Sequence, residues 1–181
     1  MLRILLFLLS ASLVSGCKSK TETNNNSSAD STHMSAPDEA PLDTTPRVTG
    51  IGGIFFKSKN PDSTKNWYAK NLGMVIDKYG SPFEFRNANR QDEINYLEWS
   101  AFSEKSTYFN PSKKEFMINY RVQNLSGMLR NLKANGVTIL DSVEAVEYGK
   151  FVHIMDADGN KIELWEPVDS VLTKLGTKTT K

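Results

Sequence analysis

The chain has 181 residues, of which 39% are hydrophobic and 24% charged, and its 22 basic and 21 acidic side chains leave a net charge of +1. That is enough for one domain with a core of its own, in the composition range of ordinary globular domains. A balanced charge without a basic patch or interleaved aromatics offers nucleic acid no surface.

At the amino terminus, Met1-Leu2-Arg3 precedes an apolar run from Ile4 to Val14. The run is shorter than the roughly 20 residues a spanning helix needs, and it suits the core of a signal peptide. It ends in Leu13-Val14-Ser15-Gly16-Cys17, which resembles the bacterial lipobox. The resemblance implies that residues 1–17 are a lipoprotein signal and that Cys17 becomes the lipidated first residue. Cys17 is the chain's single cysteine, so the domain is left with no disulfide and no thiol nucleophile. Lipidation makes the expected location the cell envelope, with a membrane anchor of acyl chains. Lys18 in place of Asp after the cysteine leans towards the outer membrane in a Gram-negative host. Residues 18–46 are rich in Ser, Thr, Asn, Asp and Pro, a composition that cannot bury enough surface to fold, so a disordered linker is expected there.

The folded part is expected over residues 47–168. Val48 to Ser58 reads as a strand weakened by glycines. Asn60 is placed to cap a helix with Pro61 at its first position, and Gly73 to end it. Strands are expected at 74–79, 82–86 and 94–101. The pattern then restarts: a strand from Lys114 to Val122, a helix capped by Asn124 with Leu125, Met128, Leu129 and Leu132 on one side, a stop at Gly136, and a strand at 137–143. With the hairpin below, the order is β-α-β-β-β twice, and such an internal repeat outweighs any single element. Residues 169–181 read as a flexible tail.

Lys150 to Pro167 contains the strongest local signal. Asp156 to Asn160 is a turn cluster with Gly159 suited to a positive φ, flanked by two runs that alternate with period two. Pairing Met155 with Lys161 sets His153 opposite Glu163 on one face. Val152, Ile154, Ile162 and Leu164 then form an aliphatic face for a covering helix. Phe151, His153, Met155, Glu163 and Trp165 form the other, whose mix of aromatics, acid and imidazole suits the wall of a cavity.

Asp156-Ala157-Asp158-Gly159-Asn160-Lys161-Ile162-Glu163-Leu164-Trp165-Glu166-Pro167 resembles the closing hairpin of the vicinal oxygen chelate superfamily, which includes glyoxalases, bleomycin-resistance proteins and extradiol dioxygenases. Asn66-Trp67-Tyr68-Ala69-Lys70-Asn71-Leu72-Gly73 looks like that superfamily's first-helix signature. The resemblance implies an α+β fold in which two βαβββ modules form one cupped mixed sheet around a shared cavity. It also implies four metal-ligand positions, which fall on Gly53, Glu98, Met117 and Glu163. Both expected imidazoles are therefore missing, and two carboxylates beside Gly and Met would hold a divalent cation weakly. No cofactor is expected on this count. The alternative is a divalent metal held by His153, Glu98 and Glu163.

The plainer reading of each residue is structural. His153 can satisfy Glu163 by a hydrogen bond, Glu98 can pair with Arg86 or Arg121, Met117 can be packing, and Trp99 falls on the helix side with Leu97. For the cavity wall the candidates are Phe55, Tyr96, Glu98, Met117, Asn119, Phe151 and Trp165; for acid–base chemistry they are His153 and Glu163. Three functions stay open: a metal-free binder of a small molecule, a glyoxalase- or lyase-like enzyme using the His153–Glu163 pair, and a partner-binding module. Pairing of modules between chains in the resembled superfamily makes a homodimer compatible with each.

Overall fold

The computed structural model describes residues 43–88, 90–176 and 178–180. The expected signal run, Cys17 and most of the expected linker lie outside the described residues.

Eleven elements follow in order: β1 (Arg47–Ser58), α1 (Pro61–Leu72), β2 (Ser81–Asn87), β3 (Arg90–Ser103), β4 (Phe116–Gln123), α2 (Leu125–Ala134), β5 (Thr138–Ile139), β6 (Glu144–Val146), β7 (Gly149–Met155), β8 (Lys161–Pro167) and α3 (Asp169–Leu175). Eight strands make one mixed sheet in the order β2-β3-β1-β4-β8-β7-β5, with β6 paired to β7. Strand β1 runs parallel to β3, and β4 runs parallel to β8. The two modules meet where β1 pairs antiparallel with β4. The expected α+β architecture of two modules in one mixed sheet is therefore the one observed.

The punctuation residues act as their chemistry predicts. Asn60 accepts from the Ser63 amide at 3.0 Å, and Gly73 ends α1 at φ 69°. Asn124 accepts from the Gly127 amide at 2.9 Å to start α2. Gly159 carries the hairpin turn at φ 77°, and β7 pairs with β8 in the register Met155–Lys161 and His153–Glu163. Val152, Ile154 and Leu164 are buried with Val122 and Leu125 beneath Met128, Leu129 and Leu132 of α2. On the other module Trp99 lies under α1, with its ring 4.5 Å from Tyr68 and 5.1 Å from Phe56. The opposite side of the sheet, called the inner face here, carries the candidate residues.

Two expected strands differ. Residues 74–79 form no strand, because the Asp77 carboxylate accepts from the amides of Tyr79 and Gly80 at 2.7 and 2.9 Å and makes a local turn. The strand expected at 137–143 shrinks to Thr138–Ile139. There Asp141 turns its carboxylate inward to His153, and the chain leaves the ladder.

The tail expected to fray is ordered at 169–175. α3 buries Leu172, and its first residue, Asp169, forms an ion pair with Arg121. Further on, Thr180 bridges Phe83 at the sheet edge and donates its amide to the Pro82 carbonyl at 2.9 Å. The last part of the expected linker is also tied down, since Gln123 and Asn124 donate to the carbonyls of Thr45 and Thr44. Among the described residues no helix is long and apolar enough to cross a membrane.

Candidate functional site

One row of residues crosses the inner face. Glu98 pairs with Gly53, Gly53 with Asn119, Asn119 with Glu163, and Glu163 with His153. This row corrects one expectation: the β4 position beside Glu163 is Asn119, whereas Met117 sits opposite Phe55, two residues away.

Glu163 is buried at 3% exposure, and three donors converge on it. His153 Nε2 stands 2.9 Å from Oε1, which also accepts from the Tyr108 hydroxyl, and Asn119 Nδ2 donates to Oε2 at 2.6 Å. Burial alone would push the Glu163 carboxyl up. The hydrogen bond and charge of His153, followed by the bonds from Tyr108 and Asn119, outweigh it and hold the group below the usual carboxylate range.

His153 is itself enclosed, at 0% exposure. Its Nδ1 lies 2.7 Å from Asp141 Oδ2, and its backbone amide donates to Asp141 Oδ1 at 2.8 Å. Both ring nitrogens thus face carboxylate oxygens.

Segment 104–115, which joins the modules, closes this half of the face. It brings in Tyr108, and Phe109 at 0% exposure packs with Phe55 and Met117. The buried Lys161 ammonium donates to the Tyr108 carbonyl at 2.6 Å, and Ser112 donates to the Gly159 carbonyl at 2.6 Å. Phe55 and Met117, expected as cavity wall, are here the packing surface for Phe109.

Glu98 stands at the other end of the row. The expected partner Arg86 instead donates to the Asp92 carbonyl, and Arg121 ion-pairs with Asp169. Glu98 accepts from Ser100 Oγ at 3.1 Å. Burial, reinforced by the negative charge of Asp77, pushes its carboxyl up to about 8 despite the Ser100 bond. Glu98 is a neutral acid at moderate pH.

A metal does not fit these residues. Gly53 offers no donor, Asn119 gives its amide to Glu163, and both oxygens of Glu163 are engaged. The alternative set of Glu98, His153 and Glu163 does not assemble either: among the described residues no three His, Cys, Asp or Glu side chains gather closely enough to hold an ion.

Beside the row lies a second group. Arg121 is 1% exposed, its Nη1 donates to the Tyr96 carbonyl at 3.1 Å, and Nη2 reaches Asp169. Its guanidinium carbon is 4.9 Å from the Trp165 ring centre and 5.8 Å from that of Phe85. Phe151 stacks on Trp165 at 5.7 Å, and the Trp165 indole donates to the Tyr148 carbonyl at 3.2 Å. The Tyr96 hydroxyl meets Thr173 of α3 at 3.4 Å.

Tyr108, Asp141 and Asp169 are not candidates from the sequence. Tyr108-Phe109, an aromatic pair inside a polar stretch, is a legible signal. Asp141 and Asp169 look like ordinary turn and helix-start residues until the chain is folded.

No family model matches the sequence, and no match was found among curated proteins. Solved structures do match. Methylmalonyl-CoA epimerase of Streptomyces coelicolor, as a glutamine-to-alanine variant in complex with 2-nitronate-propionyl-CoA, is 12% identical at a TM-score of 0.52, covering 67% of this chain and 99% of that one. A glutamate-to-glutamine variant of the same epimerase, with the same compound, is 13% identical at a TM-score of 0.50, with the same coverage. A glyoxalase/bleomycin resistance protein/dioxygenase superfamily member from Vibrio splendidus shares 13% identity over 67% of this chain and 99% of its own, at a TM-score of 0.41. The paired modules, the closing hairpin and the likeness to the epimerase agree: the chain has the vicinal oxygen chelate fold.

Proposed function

We propose that the protein is an envelope-anchored lipoprotein whose vicinal oxygen chelate domain binds a small organic molecule on the inner face without the fold's usual metal. The observation that carries this reading is Arg121, a cation buried on a central strand beside Trp165 and Phe85, with Phe151 stacked on Trp165. Aromatic walls with a few convergent polar groups are the usual make-up of a small-ligand site. The metal corner contributes rigidity instead, because its acid already has three donors.

A thermal-shift screen of small metabolites against purified protein, paired with elemental analysis, tests the reading. A reproducible stabilisation by one chemical class, without stoichiometric Zn, Ni, Fe or Mn, is the expected result. About one metal ion per chain would overturn it. For the anchor, mass spectrometry of the membrane fraction should find acylated Cys17, and Cys17→Ala should abolish processing and membrane retention.

A second reading is favoured by one observation. Asp141 fixes His153 Nδ1 and leaves Nε2 directed at Glu163, the carboxylate–imidazole order of an oriented general base. On that reading Tyr108 must withdraw to admit substrate, and Asp141→Asn would lower kcat with little change in KM.

A further inference from the structure

We propose that the Arg121 end of the inner face is a binding site for the carboxylate of a small organic acid, and that Asp169 occupies this site in the closed chain. The inference rests on the small-molecule reading above and names the ligand's class.

Arg121 is more completely buried than a residue that merely pins a helix needs to be. A guanidinium taken out of water requires an anion, and its planar fork suits a two-oxygen carboxylate contact. The internal match is incomplete on the acid's side. Nη1 goes to the Tyr96 carbonyl and Nη2 to Asp169 Oδ2. The same oxygen takes a 3.4 Å contact from Asn95, while Asp169 Oδ1 is buried with no partner among the described residues. A carboxylate not tied to the backbone could turn to use both oxygens.

The occupant is held by a lightly anchored element. α3 has seven residues, Val168 gives it no side-chain cap, and it buries Leu172 alone. Asp169 has 15% side-chain exposure against 1% for Arg121, so it stands between the cation and solvent. The neighbours set the ligand's shape. Trp165 and Phe85 border the guanidinium and Phe151 backs Trp165, which suits an apolar or aromatic body with an anionic tip. An internal group that must first be displaced lowers apparent affinity by the fraction of open chain. Weakening α3 should therefore tighten binding.

The test uses full-length protein, with phenylacetate and its neutral counterpart phenylacetamide as probes and the indole N–H resonance of Trp165 as readout. Asp169→Asn is expected to bind phenylacetate about tenfold more tightly than the wild type. Neither protein should respond to phenylacetamide, and adding Arg121→Gln should abolish the gain. Leu172→Ala loosens α3 and leaves the ion pair's groups in place, so it should also tighten binding and keeps the test decisive if Asp169→Asn fails to fold. Unchanged phenylacetate affinity in the folded variant overturns the proposal. Equal binding of the amide also overturns it, yet leaves the small-molecule reading standing. No response of Trp165 to either probe in any variant also overturns the carboxylate proposal, and the thermal-shift screen then decides the small-molecule reading separately.

Discussion

Tyr108, on the segment that joins the modules, donates its hydroxyl to the buried carboxylate of Glu163, 55 residues further along the chain. The bond ties the crossing segment to the closing hairpin. Tyr108→Phe keeps the ring's stacking on Phe102 at 5.3 Å but removes one donor from Glu163. A loss of about 1–3 kcal/mol is expected from urea unfolding. Unchanged stability would mean that segment 104–115 is held by its apolar contacts and its bonds to Lys161 and Gly159, without help from the Tyr108 hydroxyl.

His153 and Glu163 should be costly to change separately. His153→Ala removes the imidazole from between Asp141 Oδ2 and the buried Glu163 Oε1, leaving Glu163 with Tyr108 and Asn119 and Asp141 with the backbone amide, and should cost about 2–3 kcal/mol. Glu163→Gln is shape-conserving but sets an amide N–H₂ against groups that are themselves donors. It should cost roughly 2 kcal/mol. The folded pKa of Glu163 is depressed, so its contribution is present above the unfolded value and is lost as pH falls through the folded one. The stability gap between wild type and Glu163→Gln should therefore narrow in acid, and a gap independent of pH would contradict the ionised assignment.

Glu98 should behave in the opposite sense. Its folded pKa of about 8 lies above the ordinary 4.5, so the neutral carboxyl favours the folded chain. That stability is complete below the unfolded pKa and declines as pH rises through the interval up to about 8. Glu98→Gln, which mimics the protonated acid, should unfold at higher urea than wild type at pH 8.5, by roughly 2 kcal/mol or more, and about equally at pH 4.5. An equal offset at both pH values would show that Glu98 is ionised in the folded protein.

Gly52 offers a steric test of the inner face. A Cβ there would come within 2.2 Å of Asn119 Oδ1, 2.8 Å of the Trp165 ring and 2.9 Å of Arg121 Cγ. Gly52→Ala is expected to destabilise the domain by about 1–3 kcal/mol and to shift the Trp165 fluorescence. Gly73 has open space around it but a φ of +69°, so Gly73→Ala should cost about 1 kcal/mol through backbone strain without touching that fluorescence.

The sequence by itself determined whatever depends on short-range chemistry. Asn60, Gly73 and Asn124 mark helix ends because capping involves only the next few backbone groups. The Asp156–Asn160 turn sets the pairing of β7 with β8, and so places His153 across from Glu163, because a hairpin's register is fixed by its loop. The helix signature, the repeated units and the closing hairpin together made the fold legible through a resemblance. Tertiary structure alone decided the partners. The pairing of β4 with β8 put Asn119 beside Glu163 where counting put Met117; Asp141 left its expected strand for His153; Tyr108 crossed from the segment between modules to Glu163; Asp169 turned an expected loose tail into a helix over Arg121. A buried charge takes whichever counter-group the packed chain brings within hydrogen-bonding range, and proximity across 48 or 55 residues leaves no periodicity for a sequence to display.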